Sequence, residues 1–232
     1  MPRLHVLRVF VEADGSGGNP LGVFLDGAEV PEAARQAVAT ELGFSETVFV
    51  DDAVAGRLRI FTPAVELPFA GHPLVGTSWL LARERAAVEV LRPPAGEVPT
   101  WVDGDGLSWI RGRPEWTSSL ELRRYGRPEE VDALGGAPDG LGFVDTWAYE
   151  DEAAGHVRAR VFAPAAGIAE DEATGLAAVA LAAALGRPLR IRQGVGSLLL
   201  ARPGPDGTAE VGGHVVLDEA RDHPLTQGDP SA

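Results

Sequence analysis

Two copies of one local pattern constrain this chain more than any other feature. In the first, residues 58–61 form a short apolar strand stopped by Thr62 and Pro63. A loop carrying Glu66, Pro68 and Phe69 follows, and Gly71-His72-Pro73 opens an uncharged apolar segment over residues 74–82. A glycine ahead of a polar residue and a proline, before such a run, marks a turn into a helix N-terminus. A helix apolar on all sides is a core helix, and its start exposes free N–H groups that favour an anionic ligand group. The second copy begins at Arg160-Val161-Phe162-Ala163-Pro164-Ala165, which matches Arg59-Ile60-Phe61-Thr62-Pro63-Ala64 at four of six positions. Again a loop follows, and Asp171-Glu172-Ala173-Thr174-Gly175 opens an apolar run over residues 176–185. His72 lies nine residues past the first proline and Asp171 seven past the second. Order, spacing and helix character together predict a duplicated domain, with His72 beside one helix start and Asp171 beside the other.

Composition narrows the function by exclusion. The 232 residues can hold one large domain or two small ones, and an apolar share of 45% supports a full core without staples. There is no cysteine, which excludes disulfides, thiolate nucleophiles and cysteine metal sites. Twenty basic against 34 acidic side chains leave a formal charge of −14, arguing against nucleic acid and anionic membranes as partners. Met1-Pro2-Arg3-Leu4-His5 lacks the apolar core of a signal peptide. The run at residues 176–185 is shorter than the roughly 20 residues that span a bilayer. A cytoplasmic protein is expected.

Along the chain, residues 5–12 alternate as a strand, Asp14-Gly15-Ser16-Gly17-Gly18-Asn19-Pro20 reads as a turn, and residues 21–25 as the returning strand. Residues 31–42 are an amphipathic helix with Pro31 in its first turn and Gly43 as its C-terminal cap. A strand enters at residues 44–50. Under alternation Glu46 shares a face with Val48 and Val50, which leaves two readings: an exposed glutamate at the strand mouth, the plainer one from position alone, or a carboxylate turned inward. Further strands are predicted at residues 88–91, 142–150, 157–162, 189–193, 197–201 and 209–217, with short strands and turns across 95–114 and a short helix at 128–134. Residues 116–125 fit no single element, and the tail beyond Asp222 has little to bury and is expected to fray. Many strands with three clear helices make an α+β protein. The predicted crossover divides it into a first lobe over residues 1–114 and a second over 115–232, with the last strand or tail free to return to the first.

Without cysteine, the acid–base groups are carboxylates, histidines and tyrosines. No histidine pair at metal-ligand helical spacing occurs, and Gly15-Ser16-Gly17-Gly18 lies between strands rather than ahead of a helix that could cradle phosphate. Ser16, Ser45 and Ser197 lie in no GxSxG motif. Glu46, His72 and Asp171 remain. Two of them have plainer readings, since His72 can bond a backbone carbonyl and Asp171 can stabilise a helix start. His5, His156, His214 and His223 read as solvated or structural.

The order Gly18-Asn19-Pro20, Phe44-Ser45-Glu46-Thr47, Phe61-Thr62-Pro63, Glu66-Leu67-Pro68-Phe69-Ala70-Gly71-His72-Pro73, Glu170-Asp171 with Ala173-Thr174-Gly175, Gln193-Gly194 and Val211-Gly212-Gly213-His214 resembles the PhzF-like phenazine-biosynthesis isomerases over nearly the whole chain. The resemblance implies a diaminopimelate-epimerase-like fold. In it two similar lobes, each a β-barrel-like sheet around a central apolar helix, face each other across the active-site cleft. It also implies that Glu46 removes and returns a proton with assistance from His72 and Asp171. Asn19, Gly71, Thr174, Gly175 and Leu176 would form the substrate-binding set, with backbone N–H groups at the two helix starts holding a carboxylate. Two departures stand out: Leu176 occupies the place of a usual serine, and Gly194-Val195-Gly196-Ser197-Leu198 replaces a usual Gly-Arg-Pro-Ser.

The expectation is a cofactor-independent isomerase of a small carboxylate-bearing metabolite, without metal, nucleic acid or membrane partners, and with a homodimer left open. The alternatives are an amino-acid racemase or epimerase of the same fold and a catalytically silent ligand-binding homologue.

Overall fold

A computed structural model describes residues 1–117, 119–138 and 140–225 of the chain. Strands β1 (Arg3–Val11) and β2 (Gly17–Phe24) lead into α1 (Glu32–Leu42), β3 (Glu46–Asp52), β4 (Arg57–Phe61), β5 (Glu66–Leu67) and the apolar helix α2 (Gly71–Glu84). Three shorter strands follow: β6 (Val90–Leu91), β7 (Val98–Val102) and β8 (Ser108–Gly112). The series then restarts with β9 (Glu121–Arg124), α3 (Pro128–Asp132), β10 (Val144–Asp151), β11 (His156–Ala163), β12 (Ile168–Asp171) and α4 (Gly175–Leu185). It closes with β13 (Leu189–Gln193), β14 (Ser197–Pro203) and β15 (Ala209–Asp222). The class is α+β. Among the described residues no helix is long and apolar enough to cross a membrane.

The six-residue sequence repeat spans the ends of β4 and β11, and the strand pairing repeats around it. β2 and β3 pair in parallel, and the β3–β4 and β4–β5 pairs are antiparallel. β9 and β10 likewise pair in parallel, and the β10–β11 and β11–β12 pairs are antiparallel. Beyond the helices, β6–β7–β8 and β13–β14–β15 are both antiparallel runs. Each loop ahead of an apolar helix is tied back by the same ion pair. Arg59 grips Glu66 in the first copy, and Arg160 grips Glu170 through Nε and Nη2 at 2.8 and 2.6 Å in the second. Glu66 is thereby turned onto β4.

β15 runs longer than the sequence suggests because it has partners along its whole length. Its first residues pair with β8 and β14, and its remainder pairs with β1. One strand therefore joins both series into a single hydrogen-bonded sheet. The chain stays anchored just past β15. His223 is buried, its N–H donates to Pro2 O at 3.0 Å, and its ring meets Phe24 edge-on. The rest of the tail expected to fray, residues 226–232, lies outside the described residues.

Helices α2 and α4 form the middle of the core. α2 packs on β1, β2, β3, β7, β8 and β15, whereas α4 packs on β14, β15 and α2. Leu74, Val75, Leu80 and Leu81 of α2 and Val179 and Leu181 of α4 are fully buried. Each such side chain contributes roughly 1.5–3 kcal/mol over an exposed one, so burial rather than helix propensity holds these elements. Under α1, a separate cluster stacks Phe24 on Phe49 at 5.1 Å, with the Arg35 guanidinium over Phe49 and bonded to Asp51.

One local departure matters for function. The cluster read as a turn over residues 14–20 turns only across Glu12–Ser16, where Glu12 N–H donates to Ser16 O. Gly17 and Gly18 already belong to β2, at φ +68° and +88°. A Cβ on Gly17 would lie 2.1 Å from Gly196 O, so only glycine admits this approach. The extra length carries Asn19 into the centre of the molecule.

Candidate active site

The two apolar helices begin against each other. A Cβ built on Gly71 would lie 2.6 Å from Gly175 C, and one on Gly175 would lie 2.8 Å from His72 N. Backbone meets backbone there, which only a pair of glycines permits. Neither N-cap residue, Ala70 or Thr174, closes its helix with a side-chain hydrogen bond. Two sets of first-turn N–H groups, each with the partial positive charge of a helix start, therefore converge on one place.

Three buried titratable residues surround that place. Glu46 opens β3 and is 6% exposed, His72 is the second residue of α2 and 2% exposed, and Asp171 ends β12 and is 6% exposed. His72 Nε2 stands 3.3 Å from Glu46 Oε2, off the line of a hydrogen bond, and both atoms lack any other partner. Burial pushes the Glu46 carboxyl well above its ordinary value, and the nearby Asp171 charge adds to the effect. Burial also keeps His72 neutral, lowering its pKa to about 3. Asp171 is raised to about 6 by burial, opposed by hydrogen bonds from Thr174 and Asn19. These two carboxyls thus differ: both Asp171 oxygens are held as acceptors, whereas Glu46 Oε2 is free.

The hydrogen bonds that hold Asp171 link the two series of strands. Asn19 Nδ2 donates to Asp171 Oδ1 at 2.6 Å and to Ala173 O at 3.0 Å, and Asn19 Oδ1 accepts from Ser45 Oγ at 2.9 Å. Thr174 Oγ donates to Asp171 Oδ2 at 2.6 Å. Gln193, buried on β13, donates to Asp171 O and Thr174 Oγ at 2.9 Å and accepts from Thr174 N–H at 3.1 Å. Glu172 turns the other way, accepting from Val195 N–H, Gly196 N–H and Ser197 Oγ, and Ser197 Oγ accepts from Gly18 N–H.

A cavity of about 600 Å³ opens onto this cluster. Glu46, Gly71, His72, Asp171, Thr174, Gly175 and Leu176 line it, together with Phe69, Trp116 and Phe143. Of the predicted site residues, Asn19 alone is not on the wall; it stands behind Asp171, with its amide hydrogens taken up. Gln193 and Ser197 are the supporting residues that sequence reasoning missed. Gln193 stood in a motif, but nothing in its spacing tied it to Thr174.

The family described as phenazine biosynthesis-like protein (PhzC-PhzF) matches residues 8–109 and 133–200. A trans-2,3-dihydro-3-hydroxyanthranilate isomerase from Pseudomonas fluorescens is 34% identical over 228 residues, covering 77% of this chain and 81% of that protein. Its namesake from Pseudomonas aeruginosa is 35% identical, covering 84% and 83%. Among solved structures, a predicted epimerase from Pseudomonas aeruginosa is 28% identical with a TM-score of 0.70, covering 98% of this chain and all of that one. A hydroxyproline epimerase from Agrobacterium vitis, with trans-4-hydroxy-L-proline bound, shares the fold at 12% identity and a TM-score of 0.63, covering 99% and 93%. Fold and relatives together define an epimerase-like isomerase. Within that class the chain belongs to the phenazine biosynthesis-like (PhzC-PhzF) family and is a PhzF-type isomerase.

Proposed function

We propose that the chain moves a proton within a small carboxylate-bearing metabolite, without a cofactor, and that Glu46 is the base that removes and returns it. One observation carries this reading: a buried, unpartnered glutamate oxygen lies on the wall of a cavity that also receives two converging helix starts. The substrate carboxylate binds at the first-turn N–H groups of α2 and α4. Removal of a proton from a neighbouring carbon sends negative charge toward that carboxylate, where the N–H groups stabilise it. Burial gives Glu46 a high enough proton affinity to accept a carbon-bound proton near neutral pH. The same carboxyl then delivers the proton to another carbon of the substrate. Neutral His72 assists beside Glu46, and Asp171, fixed by Asn19 and Thr174, supplies a standing negative charge.

Geometry also weighs against two-base racemisation by Glu46 and His72. Bases on opposite faces of one carbon each need a reach of about 3 Å, but Glu46 Oε2 and His72 Nε2 are only 3.3 Å apart. They share one side. Asp171 would have to be the second base, and both of its oxygens are engaged.

The test is turnover of a panel of small ring carboxylates in D₂O, with and without polar ring substituents and with trans-2,3-dihydro-3-hydroxyanthranilate among them, read by mass spectrometry and NMR. An isomerised product of at least one acid is expected, carrying solvent deuterium at the reprotonated carbon to the extent that the Glu46 proton exchanges before its return. Tight binding of these acids with no product and no deuterium would mean a silent binding protein instead.

A further inference from the structure

Charge on the cavity wall is of one sign. Among the described lining residues, the carboxyl side chains are Glu46, Glu121 and Asp171, and no arginine or lysine reaches the wall. No cationic side chain is therefore on hand for an anion, and the two helix starts meet closely enough for their N–H groups to serve a single carboxylate. Glu46 Oε2 and His72 Nε2, both more than nine-tenths buried and without hydrogen-bond partners, border the same space. A second carboxylate or a phosphate would meet these carboxyls with no arginine or lysine on the wall to offset them.

Apart from Thr62, Ser119 and Glu121, the rest of the wall is apolar and aromatic. Phe69, which leads into α2, and Trp116, from the turn between β8 and β9, pack with ring centres 4.8 Å apart. Phe143, Ile168 and Leu176 continue that surface. Flat aromatic faces favour a ring laid against them. The volume of about 600 Å³ falls within the roughly 300–1,000 Å³ typical of cavities for drug-sized ligands, so it can admit more than one six-membered ring. Leu176, the second residue of α4, stands beside the proposed carboxylate position, and its side chain has no hydrogen-bonding group. A hydroxyl or amine pressed against it would lose water and gain no partner.

We infer that this cavity takes a monocarboxylic acid with a bulky, apolar, ring-bearing remainder, and that Leu176 selects against polar substituents next to the carboxylate. The inference rests on the proposed placing of the carboxylate at the helix starts. It separates this chain from relatives named for an amino- and hydroxyl-substituted ring acid.

Isothermal titration calorimetry with three probes tests it, on wild type and on Leu176→Ser. Naphthalene-2-carboxylate is expected to bind wild type at least about tenfold tighter than 3-hydroxyanthranilate, and at least about tenfold tighter than naphthalene-2,6-dicarboxylate, each about 1.4 kcal/mol. Leu176→Ser should narrow the first ratio at least threefold while leaving the dicarboxylate penalty in place. The wild-type order stands as a test even where the variant fails to fold. Equal or tighter binding of 3-hydroxyanthranilate or the dicarboxylate overturns the inference, as does a folded Leu176→Ser with an unchanged ratio, or no binding of any probe at millimolar concentration. The D₂O assay fails separately. The expected binding order with neither isomerised product nor proton exchange removes the isomerase reading and keeps the ligand class. Exchange on the hydroxylated acid with weak naphthalene-2-carboxylate binding does the reverse.

Discussion

Glu46 is the residue on which the chemistry depends. It is buried with one oxygen unpartnered, an arrangement that costs stability and serves no packing purpose. Glu46→Gln keeps the shape and removes the base, so activity should fall at least about 10²-fold with the melting temperature unchanged or raised. A folded variant retaining most of its turnover would exclude Glu46 as the base. Since the carboxyl must be ionised to accept a proton and burial raises its pKa, kcat/KM should rise with pH through a value above the ordinary glutamate range. A second buried carboxyl, Asp145 on β10, lies off the cavity wall with Oδ1 unpartnered and its pKa raised by burial from 3.8 to about 7. Its folded state therefore holds a proton that the unfolded state has lost. The stability it contributes is full below about pH 4 and declines as pH rises to about 7. Asp145→Asn should remove that decline, a relative gain of roughly 3 kcal/mol between pH 5 and pH 8. Urea unfolding at both pH values checks this, and identical pH dependence in variant and wild type would contradict it. Strand alternation alone left Glu46 either inward or exposed at the strand mouth, and it was legible through its place in the Phe44-Ser45-Glu46-Thr47 motif. Asp145 was not, since an aspartate amid apolar strand residues carries no sign of its partners.

Among the elements, the helix starts decide the site. Both apolar helices were readable from their uncharged runs and opening glycines, but their contact was not, because no local pattern encodes which backbones touch. Gly175→Ala places a Cβ 2.8 Å from His72 N and 2.9 Å from Gly71 C. Overpacking of this kind costs typically about 1–3 kcal/mol, and here it would spread the two starts. The expected result is a KM for the carboxylate substrate raised at least about tenfold, with a smaller change in kcat. A variant with unchanged KM and stability would show that the starts do not act together. β2 begins earlier than its sequence suggests, since Gly17 and Gly18 look like turn residues yet extend the strand at positive φ. β12 and β9 were also unread. Their four residues each are too few for a period to show, and their partners supply the order.

For the whole molecule, the six-residue repeat lies within a longer recurrence, in which the pairing senses of the strands repeat from β2–β8 to β9–β15. We take the division of the chain to fall near residue 114, with β15 crossing back to pair with β1. That crossing was hidden because a strand's length depends on partners far away in sequence, and β15 has three. Asn19, contributed by β2, and Asp171, contributed by β12, meet only when both series are docked. The central claim is that one substrate carboxylate sits where the two helices begin, in front of Glu46. A crystal structure with benzoate bound tests it most directly. The carboxylate oxygens should lie about 3 Å from first-turn N–H groups of both α2 and α4, with the ring in the cavity facing Glu46. Benzoate held by arginine elsewhere on the surface, or helix starts moved apart around it, would contradict the account.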